Sequence, residues 1–305
     1  MEFIKPGINF DFMKKRNIAF YFSLILILIS IISLVLKGGP NYGIDFAGGT
    51  LVQVKFNRNV SPSELKRDFK KINFGDTLIQ RFGKEDDNEY LIRVEKSSFE
   101  LASLSEMIDQ SLQETFGKDN YEIRRVEMVG PKVGSDLRRK GILAIFYAMG
   151  GILIYITLRF ELKFATGAIL ALIHDVVITV GAFSITNREF TLPIVAAILT
   201  IIGYSLNDTI VVYDRIRENL RKMRGKNYET IINSSINQTL SRTILTSATT
   251  LLVVLALFIF GGGVIHNFAF ALLVGVIIGT YSSIFVASPV LIVWESSLRK
   301  KGIKR

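Results

Sequence analysis

Six apolar runs, each close to the length that crosses a bilayer, constrain this chain more than any other feature: Asn17–Leu36, Gly141–Leu158, Ala165–Ile185, Leu192–Val212, Ile244–Phe260 and Phe268–Trp294. A bilayer core takes about twenty residues of helix, and lipid leaves a backbone no hydrogen-bond partner outside a helix or a closed barrel. The runs therefore predict six transmembrane helices. Asn17–Leu36 follows Lys14-Lys15-Arg16 as a signal peptide would, yet it exceeds a usual apolar signal core and lacks an A-x-A cleavage pattern. It is read as a retained first helix. With 49% hydrophobic residues, the chain is only modestly apolar for a membrane protein, which leaves room for a soluble portion.

That portion is Lys37–Lys140. It opens with the glycine-rich Gly43–Thr50 and enters Leu51–Phe56, which alternates as a strand does. Ser61-Pro62-Ser63-Glu64 carries a cap, a first-turn proline and a capping-box acid, and so starts a helix. Thr77–Phe82 and Glu89–Val94 read as strands joined by the acidic turn Glu85-Asp86-Asp87-Asn88. Phe99–Phe116 has helical spacing and stops at Gly117, and Tyr121–Val129 is a last strand. The order βαββαβ predicts an extracytoplasmic ferredoxin-like α/β domain between the first and second spans. The glycine-rich entry lacks the lysine and hydroxyl spacing of a phosphate loop and is read as a loop.

Lysine and arginine sort the loops. The N-terminus 1–16, the turn Arg159–Lys163, the segment Tyr213–Arg242 and the tail 295–305 are basic and fall on one side. The loops on the other side, Thr186–Phe190 and Gly261–Asn267, hold only Arg188. Both termini are thus expected in the cytoplasm. Tyr213–Arg242 is expected as a cytoplasmic basic loop, with Ile216, Leu220, Ile231, Ile232 and Ile236 resting on the bilayer. This juxtamembrane bias accounts for the net charge of +10, so no nucleic-acid partner is inferred. The lipid bilayer is the expected surroundings.

Against this background Asn207 and Asp208 stand out, because they sit inside the apolar run Leu192–Val212. A carboxylate in hydrocarbon costs about 3 kcal/mol on insertion scales, and such residues mark ion paths, proton relays or buried pairs. Helix arithmetic puts Asp175, beside His174, roughly 15 Å from the cytoplasmic start of its span. Asp208 lies roughly 8 Å from the cytoplasmic end of its own by the same count. Arg242 enters the fifth span from the same side, so all could meet in one half of a bundle. Two readings stay open at this point: an Asp208–Arg242 ion pair that glues helices, or a site that takes up and releases protons. Moving a guanidinium toward or away from a carboxylate would switch its proton affinity. Gly150, Gly151, Gly167, Gly181, Gly203, Gly275 and Gly279 thread the spans and allow close packing or sliding.

Enzyme signatures are missing. No cysteine is present, the two histidines His174 and His266 form no HExxH, and no G-x-S-x-G elbow occurs. No metal site, cofactor or catalytic residue is expected.

Five stretches then carry a resemblance. Gly43–Thr50, Gly130-Pro131-Lys132-Val133-Gly134, His174-Asp175-Val176, Gly203–Asn219 (GYSLNDTIVVYDRIREN) and Ser235–Thr243 (SINQTLSRT) resemble the SecF-type members of the SecD/SecF family. That family serves bacterial protein export within the resistance-nodulation-division superfamily. The resemblance implies that the chain works with SecD beside the SecYEG channel, with YajC as a further partner, and uses the proton gradient to help move preproteins. It places the proton-pathway acid on Asp208 and its arginine on Arg242, and the chain in the bacterial inner membrane; Asn207, Asp175 and His174, read from their positions in the spans, are further candidates. A small-molecule antiporter half of the same superfamily and a non-transporting scaffold are the rival readings. The short outer domain speaks against the first.

Overall fold

The computed structural model describes residues 9–71, 77–82, 88–94 and 101–300. The acidic residues Glu85–Asp87, the start of the helix expected from Phe99 and the ends 1–8 and 301–305 lie outside the described residues. In chain order the main elements are α1 (Arg16–Leu36), β1 (Gly49–Phe56), α2 (Pro62–Lys71), β2 (Thr77–Phe82), β3 (Glu89–Val94), α3 (Leu101–Phe116) and β4 (Tyr121–Val129). They continue with α4 (Pro131–Arg159), α5 (Leu162–Ile185), α6 (Leu192–Lys222), α7 (Tyr228–Phe260), α8 (Gly263–Ser282), a π-helical turn (Ser283–Ala287) and α9 (Ser288–Lys300). The chain divides into two compact units, Met1–Asn41 with Leu143–Glu189 and Pro193–Arg305, and Tyr42–Ile142 with Phe190–Leu192.

The smaller unit is the α/β domain read from the sequence. Its sheet has the order β2-β3-β1-β4 with every neighbouring pair antiparallel, which is the ferredoxin-like arrangement. Alternation decides the faces. Val52, Val54 and Phe56 of β1 and Tyr90, Ile92 and Val94 of β3 all turn toward Leu65, Phe69, Ile108 and Leu112 of the two helices, forming the core. Ser61 caps α2 by accepting from the Glu64 backbone N–H at 3.2 Å. The Glu64 carboxylate takes Arg58 instead of closing the reciprocal half of a capping box.

Gly48 explains why the glycine-rich entry is glycine-rich. Its φ of +75° with ψ of 179° is a conformation essentially reserved for glycine, and a Cβ there would lie 2.9 Å from Pro131 Cα. Gly134 packs back on Gly48 and Phe46 in the same way, so two of the quoted motifs meet in one tight seam. Gly48→Ala is expected to cost roughly 1–3 kcal/mol from backbone strain alone. Gly130→Ala, where a Cβ meets nothing within 4 Å, should be close to neutral. Thermal unfolding of the two variants side by side checks this; equal stability would contradict the seam.

Six helices of the described chain are long and apolar enough to cross a membrane, from Met13–Leu36 to Ile265–Ser297. The inner ones are α5 and α6, with 56% and 50% of their most apolar windows buried, against 17%, 11% and 17% for α1, α4 and α7. Close approach is built on glycine where it matters: a Cβ on Gly181 would strike Ser30 of α1, and one on Gly275 would strike Ile201 of α6. Gly150, Gly151 and Gly203 face open space.

The expected basic loop Tyr213–Arg242 is a helical hairpin instead. α6 continues to Lys222, α7 already begins at Tyr228, and only 223–227 connect them. Arginine, lysine and glutamate are good helix formers, so a charged run past the apolar window extends a helix rather than ending it. Nor do its isoleucines rest on lipid. Ile216, Ile231, Ile232 and Ile236 are buried in protein, and Asn219 zips the hairpin by donating to Ser235 Oγ at 2.8 Å and Gln238 Oε1 at 2.9 Å.

Candidate functional site

The two buried carboxylates of the larger unit, Asp175 and Asp208, both bond to the junction of α8 with its π-turn. Asp208, on α6, is 7% exposed. Its Oδ1 accepts from Thr243 Oγ1 of α7 at 2.6 Å, and its Oδ2 from Ser283 Oγ at 2.5 Å. Asp175, on α5, is 1% exposed. Its Oδ2 accepts from Ser205 Oγ at 2.6 Å and Ser282 Oγ at 2.8 Å, and its Oδ1 faces His174 Nδ1 at 2.9 Å. Each carboxylate is thus held by hydroxyls from neighbouring helices, which is how a charge survives burial. Neither is neutralised by a lysine or arginine within ion-pairing distance among the described residues.

A count of protons around His174 is informative. Tyr281 gives its one proton to Ala19 O at 2.7 Å, so Ser23 Oγ must donate to Tyr281 across their 2.9 Å contact. Ser23 then receives its own bond from His174 Nε2 at 3.1 Å, which fixes a proton on Nε2. The 2.9 Å contact between His174 Nδ1 and Asp175 Oδ1 needs one more proton, on the imidazole or on the carboxyl. The pair therefore holds one proton that can reside on either member.

The other sequence candidates are placed differently. Asn207 directly precedes Asp208 in sequence but lies about 100° round the helix and is exposed. Arg242 is also exposed and forms no ion pair with Asp208; the hydroxyl of the next residue, Thr243, occupies the position the sequence reading gave to the guanidinium. A one-residue step on a helix turns a side chain by about 100°, which spacing alone does not resolve. Thr243, Ser205, Ser282 and Ser283 were not singled out from the sequence. The signal was the polar run Thr280-Tyr281-Ser282-Ser283 within the last apolar span, a pattern too common in packed helices to single out alone.

The π-turn completes the site. Tyr213, five residues after Asp208 on α6, donates to Ala287 O at 3.1 Å, and Ser288 Oγ donates to Ser283 O at 2.9 Å. Turns of this kind are rare and concentrate at functional sites.

Comparison with known proteins identifies the family. The family described as "Protein export membrane protein SecD/SecF, C-terminal" matches residues 106–297, and the "SecD/SecF GG Motif" matches residues 33–60. The protein translocase subunit SecF of Magnetococcus marinus is 51% identical over 304 residues, covering 99% of this chain and 97% of that protein. Its counterpart in Calditerrivibrio nitroreducens is 48% identical, covering 99% of both. Among solved structures, the translocon-associated membrane protein SecDF of Thermus thermophilus superposes with a TM-score of 0.85 at 37% identity over 95% of this chain. The chain spans 39% of that longer protein.

Proposed function

Since the chain belongs to the SecD/SecF family of protein-export membrane proteins, we propose that it is one half of a proton-driven export device, completed by SecD and working beside the SecYEG channel on preproteins in transit. It is a multi-pass membrane transport subunit and not an enzyme. The observation that carries the proton reading is the pair of buried carboxylates, each held by hydroxyls of neighbouring helices and neither paired with a lysine or arginine among the described residues. An acid held in this way can gain and lose a proton without breaking an ion pair, whereas structural glue would favour a guanidinium partner. Asp208 is the carrier in this reading, and the His174–Asp175 pair holds a second transferable proton. Each charge moved across 100 mV releases about 2.3 kcal/mol, so several protons suffice to drive a domain movement.

A polar face supports the partner. Ala196, Thr200, Gly203 and Asn207 lie at successive turns of α6, all exposed and all small or polar. Membrane helices bury such faces against other helices rather than lipid. Exposed Arg242 and Thr246 at the start of the α7 span belong to the same argument. SecD, as the homologous half, would cover this face by a pseudo-twofold pairing along the membrane normal, bringing Asn207 and Arg242 inside the assembly next to Asp208. The basic charge of the hairpin and of the Arg159–Lys163 turn supports a reading with the termini in the cytoplasm and the α/β unit outside. YajC rests on the family alone.

The test is a reconstitution of SecYEG in vesicles with this chain, SecD or both, under an imposed proton gradient. Gradient-dependent acceleration of preprotein export is expected only when both are present. Acceleration by this chain without SecD would overturn the half-device reading.

A further inference from the structure

The two buried carboxylates belong to different helices, yet each is held by one of two consecutive serines. Ser282 donates to Asp175 Oδ2 at 2.8 Å and Ser283 to Asp208 Oδ2 at 2.5 Å. They sit where α8 gives way to the π-turn Ser283–Ala287. A π-turn inserts one residue into the helix, with bonds running from i to i+5 instead of i+4. Returning it to α geometry would rotate everything beyond Ala287 by about 100° and shift it by about 1.5 Å. The turn therefore persists because side chains hold both its ends. Asp208 receives Ser283 at one end and Tyr213 donates to Ala287 O at the other, both from α6. Ser288, the residue that follows the turn, adds a side-chain bond from its hydroxyl to Ser283 O.

Each serine also has a second acceptor within reach on its own helix. Ser283 can turn its single proton to Thr280 O at 3.0 Å, and Ser282 to Gly279 O at 3.1 Å. A charged carboxylate outcompetes a backbone carbonyl for that proton, and a protonated carboxyl does so far less. Proton uptake on Asp208 thus frees Ser283 to fall back on Thr280 O, which removes the tie at one end of the turn. Ser282 shares a peptide bond with Ser283, so the adjustment reaches Asp175.

We propose that Ser282, Ser283 and the π-turn they open form a positioning element that couples Asp208 to the His174–Asp175 pair, so that the proton state of one acid sets the hydrogen bonding of the other. The inference rests on the proton reading of these acids given above. The groups facing Asp208 are Thr243, Ser283 and, through space, the charge of Arg242. Those facing Asp175 are His174, Ser205 and Ser282, with Tyr281 stacked on the imidazole at 6.0 Å.

Infrared difference spectra of the complex with SecD in membranes, recorded across a pH series, test it. The Asp208 carboxyl band is assigned by its loss in Asp208→Asn. Ser282→Ala removes a donor from Asp175 and makes no bond to Asp208. It is expected to shift the midpoint of the Asp208 band by about half a pH unit or more, about a threefold change in proton affinity. Ser282→Thr, which keeps the hydroxyl, should restore it. An unchanged midpoint overturns the proposal. So does an equal shift from His174→Asn, which alters Asp175 without touching either serine and would assign the coupling to charge alone. Should Ser282→Ala fail to assemble, Ser283→Ala read at the Asp175 band carries the same test in reverse. A missing Asp208 band would sink both this inference and the proton reading. A coupled Asp208 that proves dispensable for export would remove the proton reading and leave the coupling standing.

Discussion

Asp208→Asn is expected to accumulate, assemble with SecD and show export no faster with a proton gradient than without one. The hydrogen bonds around Asp208 say why folding survives. An asparagine carbonyl can still accept from Thr243, as Oδ1 does now at 2.6 Å. Its amide would face Ser283 Oγ, which accepts that bond once its own proton turns to Thr280 O, 3.0 Å away. No buried donor is stranded and no charge is left uncompensated, so stability should change by about 1 kcal/mol or less. What the side chain loses is the ability to ionise. Export rate with and without a gradient, measured at matched amounts of assembled complex, decides the matter. A variant that keeps gradient-dependent acceleration would reduce Asp208 to a helix tie.

Much of the fold was legible because each unit writes its physics in a simple period. Long apolar runs specify spans, and the alternation in Leu51–Phe56 and Glu89–Val94 specifies strands whose inner residues became the core. The hairpin around 223–227 was not legible. Hydropathy ends where Asp214 and Arg215 begin, whereas helix propensity does not, and periodicity cannot tell whether Ile232 packs on lipid or on protein. At the site, the residue types that attract attention, Asp208 and Asp175, were visible because they are expensive in an apolar span. Their partners were not, because serine and threonine are cheap there and commonly bond their own helix, as Thr249 does to Leu245 O. The Arg242 expectation shows the same limit: opposite charges suggest a pair, but the helix phase that turns Thr243 inward and Arg242 outward is a property of packing.

Asp175 gives the second large effect, and here the direction depends on which residue replaces it. In Asp175→Asn the side-chain carbonyl can take over from Oδ2 and accept from both Ser205 and Ser282. The amide then donates to His174 Nδ1, which is free to accept because the Nε2 proton is committed to Ser23. Every bond is retained and the imidazole is neutral, so the variant should fold as the parent does. In Asp175→Leu the same three neighbours lose their partner in a site that is 1% exposed. Ser282 can fall back on Gly279 O at 3.1 Å, but Ser205 and His174 are left stranded at about 1–3 kcal/mol each, so accumulation of the chain should fall, which immunodetection in membranes would show. The informative variant is the asparagine. It removes only the proton that His174 and Asp175 share, so gradient-dependent export should collapse although assembly with SecD is normal. If Asp175→Asn exports like the parent under a gradient, the His174–Asp175 pair is a structural element, and Asp208 is left as the proton group of this chain.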